Sequence, residues 1–201
     1  MKRFGKSSAR LYDLFSGFGP EASFRRKTVA LCGAKAGERI LELGCGTARF
    51  SETLLRTHPG AFDLTGLDLS IHMLGRAVKN CAGLEINFVT ADAGSLPFVD
   101  QSFERIVAVL TFHEMPSALR TAALAECRRV LRPGGFLVAV DFRKPDSLLL
   151  RLLHRCMFFE GFTLQQMLAT GLDKEMEENG FTISGRRKLG LGLMELVQAQ
   201  K

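Results

Sequence analysis

Four short stretches carry residue types that could do chemistry, and each follows an apolar run. In Glu42-Leu43-Gly44-Cys45-Gly46-Thr47-Ala48-Arg49, two glycines stand one residue apart. Glycines so placed let the backbone pass close to a ligand and leave its N–H groups free. Glu42 sets a carboxylate beside those open amides, which suits a cationic group. In Gly66-Leu67-Asp68-Leu69-Ser70, Asp68 lies about 20 residues beyond the glycine loop, where an acidic side chain can accept hydrogen bonds from ribose hydroxyls. Ser70 is read as the cap of the next helix, which leaves Asp68 free. Asp92 follows Thr90-Ala91 in a loop of small residues; it suits an acceptor for an adenine amino group, with Ala93 supplying an N–H. His113, in Leu110-Thr111-Phe112-His113-Glu114-Met115-Pro116, is a candidate base or substrate-orienting group. Each stretch also has a bland reading: a tight turn, a helix cap, a surface turn, a packing histidine.

The elements that must position these loops alternate between strand and helix patterns. Strands are expected over Arg39–Leu43, Phe62–Leu67, Glu85–Thr90, Phe103–Leu110 and Phe136–Val140. Helices are expected over Phe50–Arg56, Ile71–Lys79 and Ser117–Leu131, the last capped by Ser117 and stopped by Pro133-Gly134-Gly135. Such alternation means right-handed βαβ units and a parallel sheet covered by helices on both faces. Ligands of such sheets bind beyond the carboxyl ends of the strands, which is where the four loops fall. After Lys144 the pattern changes. Ser147 to Phe159 is a leucine-rich helical segment, and Leu164 to Asn179 holds one or two short helices. Phe181–Ser184 and Leu193–Val197 read as an antiparallel hairpin joined by Arg186 to Gly192.

Composition bounds the rest. At 201 residues, 46% hydrophobic and 24% charged, the chain is expected to form one domain with a sizeable core. This excludes intrinsic disorder, and no run approaches the ~18 uninterrupted apolar residues of a membrane span. The basic start lacks a following apolar stretch, so no secretory signal is read and a cytoplasmic location is expected. Five scattered cysteines without a C-x-x-C pair argue for reduced structural thiols and against a zinc or other metal site. The net charge of +6 fits attraction to nucleic acid, an anionic membrane surface or acidic small molecules, or merely basic faces. No Trp and a single Tyr argue against a base-stacking platform, although there are 16 Phe.

The four loops together resemble the class I S-adenosylmethionine-dependent methyltransferase family. The residues that carry the resemblance are Glu42 to Thr47, Gly66 to Ser70, Ala91-Asp92-Ala93, and Leu131-Arg132-Pro133-Gly134-Gly135. It covers residues 36–142 well. More loosely, Tyr12-Asp13-Leu14 and Asp141-Phe142-Arg143-Lys144-Pro145 resemble the branch with quinone-biosynthesis and related small-molecule and phospholipid enzymes. Ala48 stands where many members carry a third glycine, and the stretch from Lys144 to Phe181 is shorter than in quinone enzymes.

The resemblance implies an α/β fold: a three-layer Rossmann-like sandwich, with a mostly parallel seven-stranded sheet and an antiparallel C-terminal strand. It divides the chain into an N-terminal arm and helix (1–35), a cofactor-binding core (36–142), a substrate-cover segment (143–180) and a C-terminal hairpin (181–201). It implies S-adenosyl-L-methionine as cofactor. Gly44, Cys45 and Gly46 would approach its methionine part and Glu42 its ammonium, directly or through water. Asp68 would bind the ribose diol, Leu69 and Met73 would pack on adenine, and Asp92 with Ala93 would read its edge. Leu110 would line the amino-acid pocket, and Tyr12 would close over the cofactor. His113 is the candidate catalytic base for a small-molecule acceptor, quinone-like or lipid-like. A nucleic-acid substrate is disfavoured, because Thr111-Phe112-His113-Glu114 replaces the Asn/Asp-Pro-Pro-aromatic signature. The alternatives are a cofactor-binding module without turnover and an NAD-dependent oxidoreductase. The latter lacks the third glycine of G-x-G-x-x-G, where Arg49 stands. The Leu148–Phe159 segment is read as a helix burying one face, or as a lid or peripheral membrane contact.

Overall fold

Strand and helix alternate through most of the chain because its apolar spacing alternates between periods of two and 3.6. The computed structural model describes residues 20–144 and 162–201. Tyr12 and the segment 148–159 lie outside the described residues. Helix α1 (Pro20–Leu31) precedes β1 (Arg39–Leu43), α2 (Arg49–Thr57), β2 (Asp63–Asp68), α3 (Ile71–Asn80) and β3 (Asn87–Thr90). Then come β4 (Phe103–Val109), a 3₁₀ turn (Phe112–Glu114), α4 (Ser117–Val130) and β5 (Leu131–Phe142). Helices α5 (Phe162–Thr170) and α6 (Leu172–Glu178) lead into β6 (Thr182–Leu189) and β7 (Met194–Gln200). The seven strands form one sheet in the order β3-β2-β1-β4-β5-β7-β6. Strands β1 to β5 pair in parallel, and β7 runs antiparallel to both β5 and β6.

The period of two decides what each face buries. Leu41 and Leu43, Ile106 and Ala108, and Leu137 and Ala139 point to a core shared with α4, α5 and α6, where Leu124, Cys127, Met167 and Met176 pack. Ile40, Val107, Val138 and Val140 point the other way, onto Val29 of α1 and Phe50, Leu54 and Leu55 of α2. Glu42 lies on this second side, so its carboxylate is directed toward α2 rather than into the larger core.

Several boundaries differ from the expectation. Strand β5 begins at Leu131, directly after α4, because Pro133-Gly134-Gly135 bulges within it: Leu131 pairs with Phe103 and Phe136 with Arg105. Ser117 does not cap α4; Pro116 holds the cap position and no side chain bonds there. Strand β4 ends at Val109 and Leu110 takes a left-handed φ of +52°. Strand β6 runs on to Leu189, and the join is the short 3₁₀ turn Gly190–Gly192. Cys32, Cys45, Cys81 and Cys127 are free and buried.

Candidate active site

The loop after β1 turns on two left-handed glycines, Gly44 at φ +68° and Gly46 at φ +55°. A Cβ at Gly44 would stand 2.4 Å from Thr111 Cγ2, so the approach of the two loops leaves no space for a side chain. Above this loop is a cavity of about 90 Å³ that collects Glu42, Gly44, Cys45, Gly46 and Leu110. Phe24 and Arg25 of α1 reach it from the side, and Thr47 and Arg49 from the start of α2. Thr47 is 2% exposed and its Oγ1 has no hydrogen-bond partner. A buried hydroxyl left unmet costs about 1–3 kcal/mol, so this one marks where a polar ligand atom belongs.

Glu42 is buried at 3% exposure and accepts hydrogen bonds from the Ser51 hydroxyl and, at 3.2 Å, from the Ser51 N–H. Burial pushes its carboxyl up to about 8, against the pull of the two Ser51 bonds and with a smaller push from the Asp68 charge. Near neutral pH it holds its proton, and a cation brought beside it would release that proton.

Asp68 is not free. Its Oδ2 accepts from Gly46 N at 2.9 Å and its Oδ1 from Ser70 N at 2.8 Å, so it clips the glycine loop to the end of β2. Burial raises its carboxyl above the ordinary range, and those two bonds oppose the rise. Ser70 caps α3 as expected, its Oγ accepting from Met73 N at 3.4 Å. Met73 is buried, its Cε 3.7 Å from where a Cβ on Gly46 would stand. Leu69 beside it is half-buried. Ala91 N donates to Asp68 O at 3.3 Å, which sets the loop after β3 beside the loop after β2. In that loop Asp92 is exposed and accepts from Gly94 N at 2.8 Å, whereas Ala93 is buried in the larger core.

His113 sits on the 3₁₀ turn after β4, and its Nδ1 lies 2.8 Å from Asp141 Oδ1 at the end of β5. Asp141 is 3% exposed and also accepts from the backbone N–H groups of Phe112, His113 and Phe142. The imidazole stands edge-on to the Phe142 ring, with Nε2 3.6 Å from Glu114 Oε1. Burial alone would lower the imidazole pKa, but the hydrogen bonds and charges of Asp141 and Glu114 reverse that and lift it to about 9. Leu110, between cavity and histidine, hangs from Val140 O by its N–H at 2.7 Å. A non-glycine residue held left-handed costs about 1–3 kcal/mol and tends to occur at functional sites.

Sequence reasoning missed Thr47, Arg25 and Asp141. Thr47 carried a signal, because a hydroxyl directly after G-x-G is aimed by the same turn. Asp141 carried a weaker one: it stands at the carboxyl end of β5 as His113 stands just past β4, and parallel pairing puts Val109 beside Val140. Arg25 lies in a helix whose docking no local pattern announces.

A family of methyltransferase domains matches residues 40–135. A demethylmenaquinone methyltransferase of Thermus thermophilus is 36% identical over 152 residues, covering 73% of this chain and 68% of its own. A ubiquinone/menaquinone biosynthesis C-methyltransferase of Desulfotalea psychrophila is 35% identical over 137 residues, covering 67% of this chain. The chain spans only 54% of that relative's length. A solved structure of a SAM-dependent methyltransferase from Aquifex aeolicus superposes with a TM-score of 0.74 at 20% identity, covering 98% of both chains. The glycine cradle, the strand order and these likenesses together make the chain a member of the class I S-adenosylmethionine-dependent methyltransferases. Its cofactor is S-adenosylmethionine, and a nicotinamide-dependent oxidoreductase is not favoured.

Proposed function

We propose that the chain transfers the cofactor's methyl group to a small acceptor with a quinone-like ring, working in the cytosol. The observation that carries this reading is the cavity over the glycine loop, with its unmet Thr47 hydroxyl, one strand away from the His113–Asp141 pair. The names of the Thermus and Desulfotalea relatives support a ring acceptor.

When bound, the cofactor supplies a methyl group already activated by a sulfonium charge. The protein then has to align, desolvate and manage protons. Glu42 would face the cofactor's ammonium, Thr47 Oγ1 would meet its carboxylate end, Gly44, Cys45 and Gly46 would bring the backbone close to its methionine part with the Cys45 and Gly46 N–H groups held by Leu67 O and Asp68, and Leu110 would line that pocket. Asp68 takes the ribose diol with oxygens that already accept two backbone bonds. Leu69 and Met73 would pack on the adenine, and Asp92 and Ala93 would read its edge. His113 takes the acceptor's proton, with Asp141 fixing its orientation and stabilising the imidazolium that results.

The test is turnover of a metabolite extract with isotope-labelled cofactor and purified protein, read by mass spectrometry. The expected result is a ring compound carrying the labelled methyl. S-adenosylhomocysteine binding without any labelled product would instead favour a module that binds and does not turn over. With an acceptor in hand, the rate is expected to rise with pH toward about 9, because His113 must shed its own proton before it can take another. If His113→Ala turned over normally, the base role would be dropped.

A further inference from the structure

Helix α1 forms one wall of the cofactor cavity through Phe24 and Arg25. We infer that Arg25 receives the cofactor's carboxylate, so that the bound cofactor clasps α1 to the glycine loop. This deepens the methyl-transfer reading and rests on it for the seat of the cofactor's amino-acid end.

The sequence offers three successive cations, Arg25, Arg26 and Lys27, and the helical period sorts them. Residues 25, 28, 29 and 32 fall on one face of a helix. On that face Thr28, Val29 and Cys32 are buried, whereas Arg26 and Lys27 are exposed. Phe24 and Val29 pack in one core with Phe50 and Leu54, which lays α1 against α2. Just past the helix, Cys32 O accepts from the buried Arg105 guanidinium at 3.0 Å, and Glu38 holds Arg105 in turn at 2.7 Å. The carboxyl end of α1 is thus anchored, and two turns back the same face carries Arg25 to the cavity wall.

The chemistry of the cavity calls for a cation there. Its volume of about 90 Å³ is a fraction of the about 300–1,000 Å³ of a whole ligand site, so it takes one end of the cofactor. The Glu42 carboxyl and the unmet Thr47 hydroxyl suit the zwitterionic end. A carboxylate withdrawn from water needs charged or multiple donors. The glycine loop has few to give, because Cys45 N–H is held by Leu67 O and Gly46 N–H by Asp68. Thr47 Oγ1 supplies one neutral donor. The cations on the wall are Arg25 and Arg49. Arg49 is turned to Glu52 of its own helix at 3.0 Å. Arg25 arrives from another element. Its guanidinium carries several N–H donors in a planar fork, so it can grip a carboxylate bidentately and keep a contact within the protein as well.

The test compares S-adenosylhomocysteine with its decarboxylated form, which keeps the nucleoside, the sulfur and the ammonium and lacks the carboxylate. Both are titrated by calorimetry into the full chain. The unmodified chain is expected to prefer S-adenosylhomocysteine at least about tenfold, the worth of a charge-assisted bond. Arg25→Gln is expected to erase that preference, weakening S-adenosylhomocysteine about tenfold and leaving the decarboxylated form as it was. Arg26→Gln, one residue on and exposed, is expected to change neither. Hydrogen exchange on the unmodified chain gives a second reading: at equal occupancy, S-adenosylhomocysteine is expected to slow the amides of residues 24–31 more than the decarboxylated form does. An unmodified chain without the preference, an Arg25→Gln chain that keeps it, an equal loss of both ligands in a folded Arg25→Gln chain, or equal protection of α1 would each overturn the inference. So would a preference that Arg26→Gln or Arg49→Gln erases and Arg25→Gln does not. Should Arg25→Gln fail to fold, the exchange result decides alone. Failure of S-adenosylhomocysteine to bind the unmodified chain at all would count against the methyl-transfer reading, and loss of the discrimination alone against this one.

Discussion

Glu42 and His113 bind their protons more tightly in the folded chain than an unfolded chain would, Glu42 by burial and His113 through Asp141 despite burial. Both folded values are raised, so both contributions to stability are complete below the unfolded pKa and are lost as pH rises through the folded one. The windows run from the ordinary carboxyl value of 4.5 to about 8 for Glu42 and from the ordinary imidazole value of 6.5 to about 9 for His113. Urea unfolding of the cofactor-free protein should therefore show stability falling as pH is raised through these windows, by on the order of a few kcal/mol. Glu42→Gln is expected to flatten the lower part of that slope and Asp141→Asn the upper part. The same raised carboxyl gives a binding signature. At pH 7, S-adenosylhomocysteine should displace close to one proton per site, measurable by calorimetry in buffers of different ionisation heat. Glu42→Gln should release none, and a release equal to that of the parent protein would remove Glu42 from the ammonium site.

The elements hold these residues through two close approaches. The first is Gly44 against Thr111. Gly44→Ala combines a left-handed φ with a 2.4 Å contact, and is expected to cost more than the about 1–3 kcal/mol of backbone strain alone and to abolish S-adenosylhomocysteine binding in a thermal-shift assay. The second is the buried pair Arg120–Glu175, which joins α4 to α6 at 2.6 and 2.8 Å while Arg120 also holds Met115 O at 2.6 Å, just past the histidine turn. Glu175→Ala takes the carboxylate away from a fully buried guanidinium and should cost about 3–5 kcal/mol in urea unfolding, whereas Arg120→Met with Glu175→Leu should recover much of it. Sequence reading reached the strands well where apolar runs were dense, as in Arg39–Leu43, and reached the cofactor loops because glycine and acid spacing is local. It did not reach Arg120–Glu175, 55 residues apart in the chain. Nor did it reach the clip of Asp68 on Gly46, which depends on how β1 and β2 pair. The start of β5 was misplaced because Pro133-Gly134-Gly135 reads as a stop, while the sheet absorbs it as a bulge.

At the scale of the whole molecule, cofactor binding should act as a staple across loops that no single helix joins. With S-adenosylhomocysteine at a hundred times its dissociation constant, unfolding should cost about 2.7 kcal/mol more, read as a rise in Tm. The sheet order carries a different consequence. Strand β7 occupies the place beside β5, yet Met194 follows Phe142 by 52 residues. On a ribosome adding about 5–20 residues per second, that interval is roughly 3–10 s. Throughout it, the Leu137-Val138-Ala139-Val140 stretch presents unpaired N–H and C=O groups to whatever strand is nearest. The nascent chain is thus at its most adhesive after its cofactor loops have been made and before its own last strand arrives. The hazard to this protein's yield lies in that waiting period rather than in the finished fold.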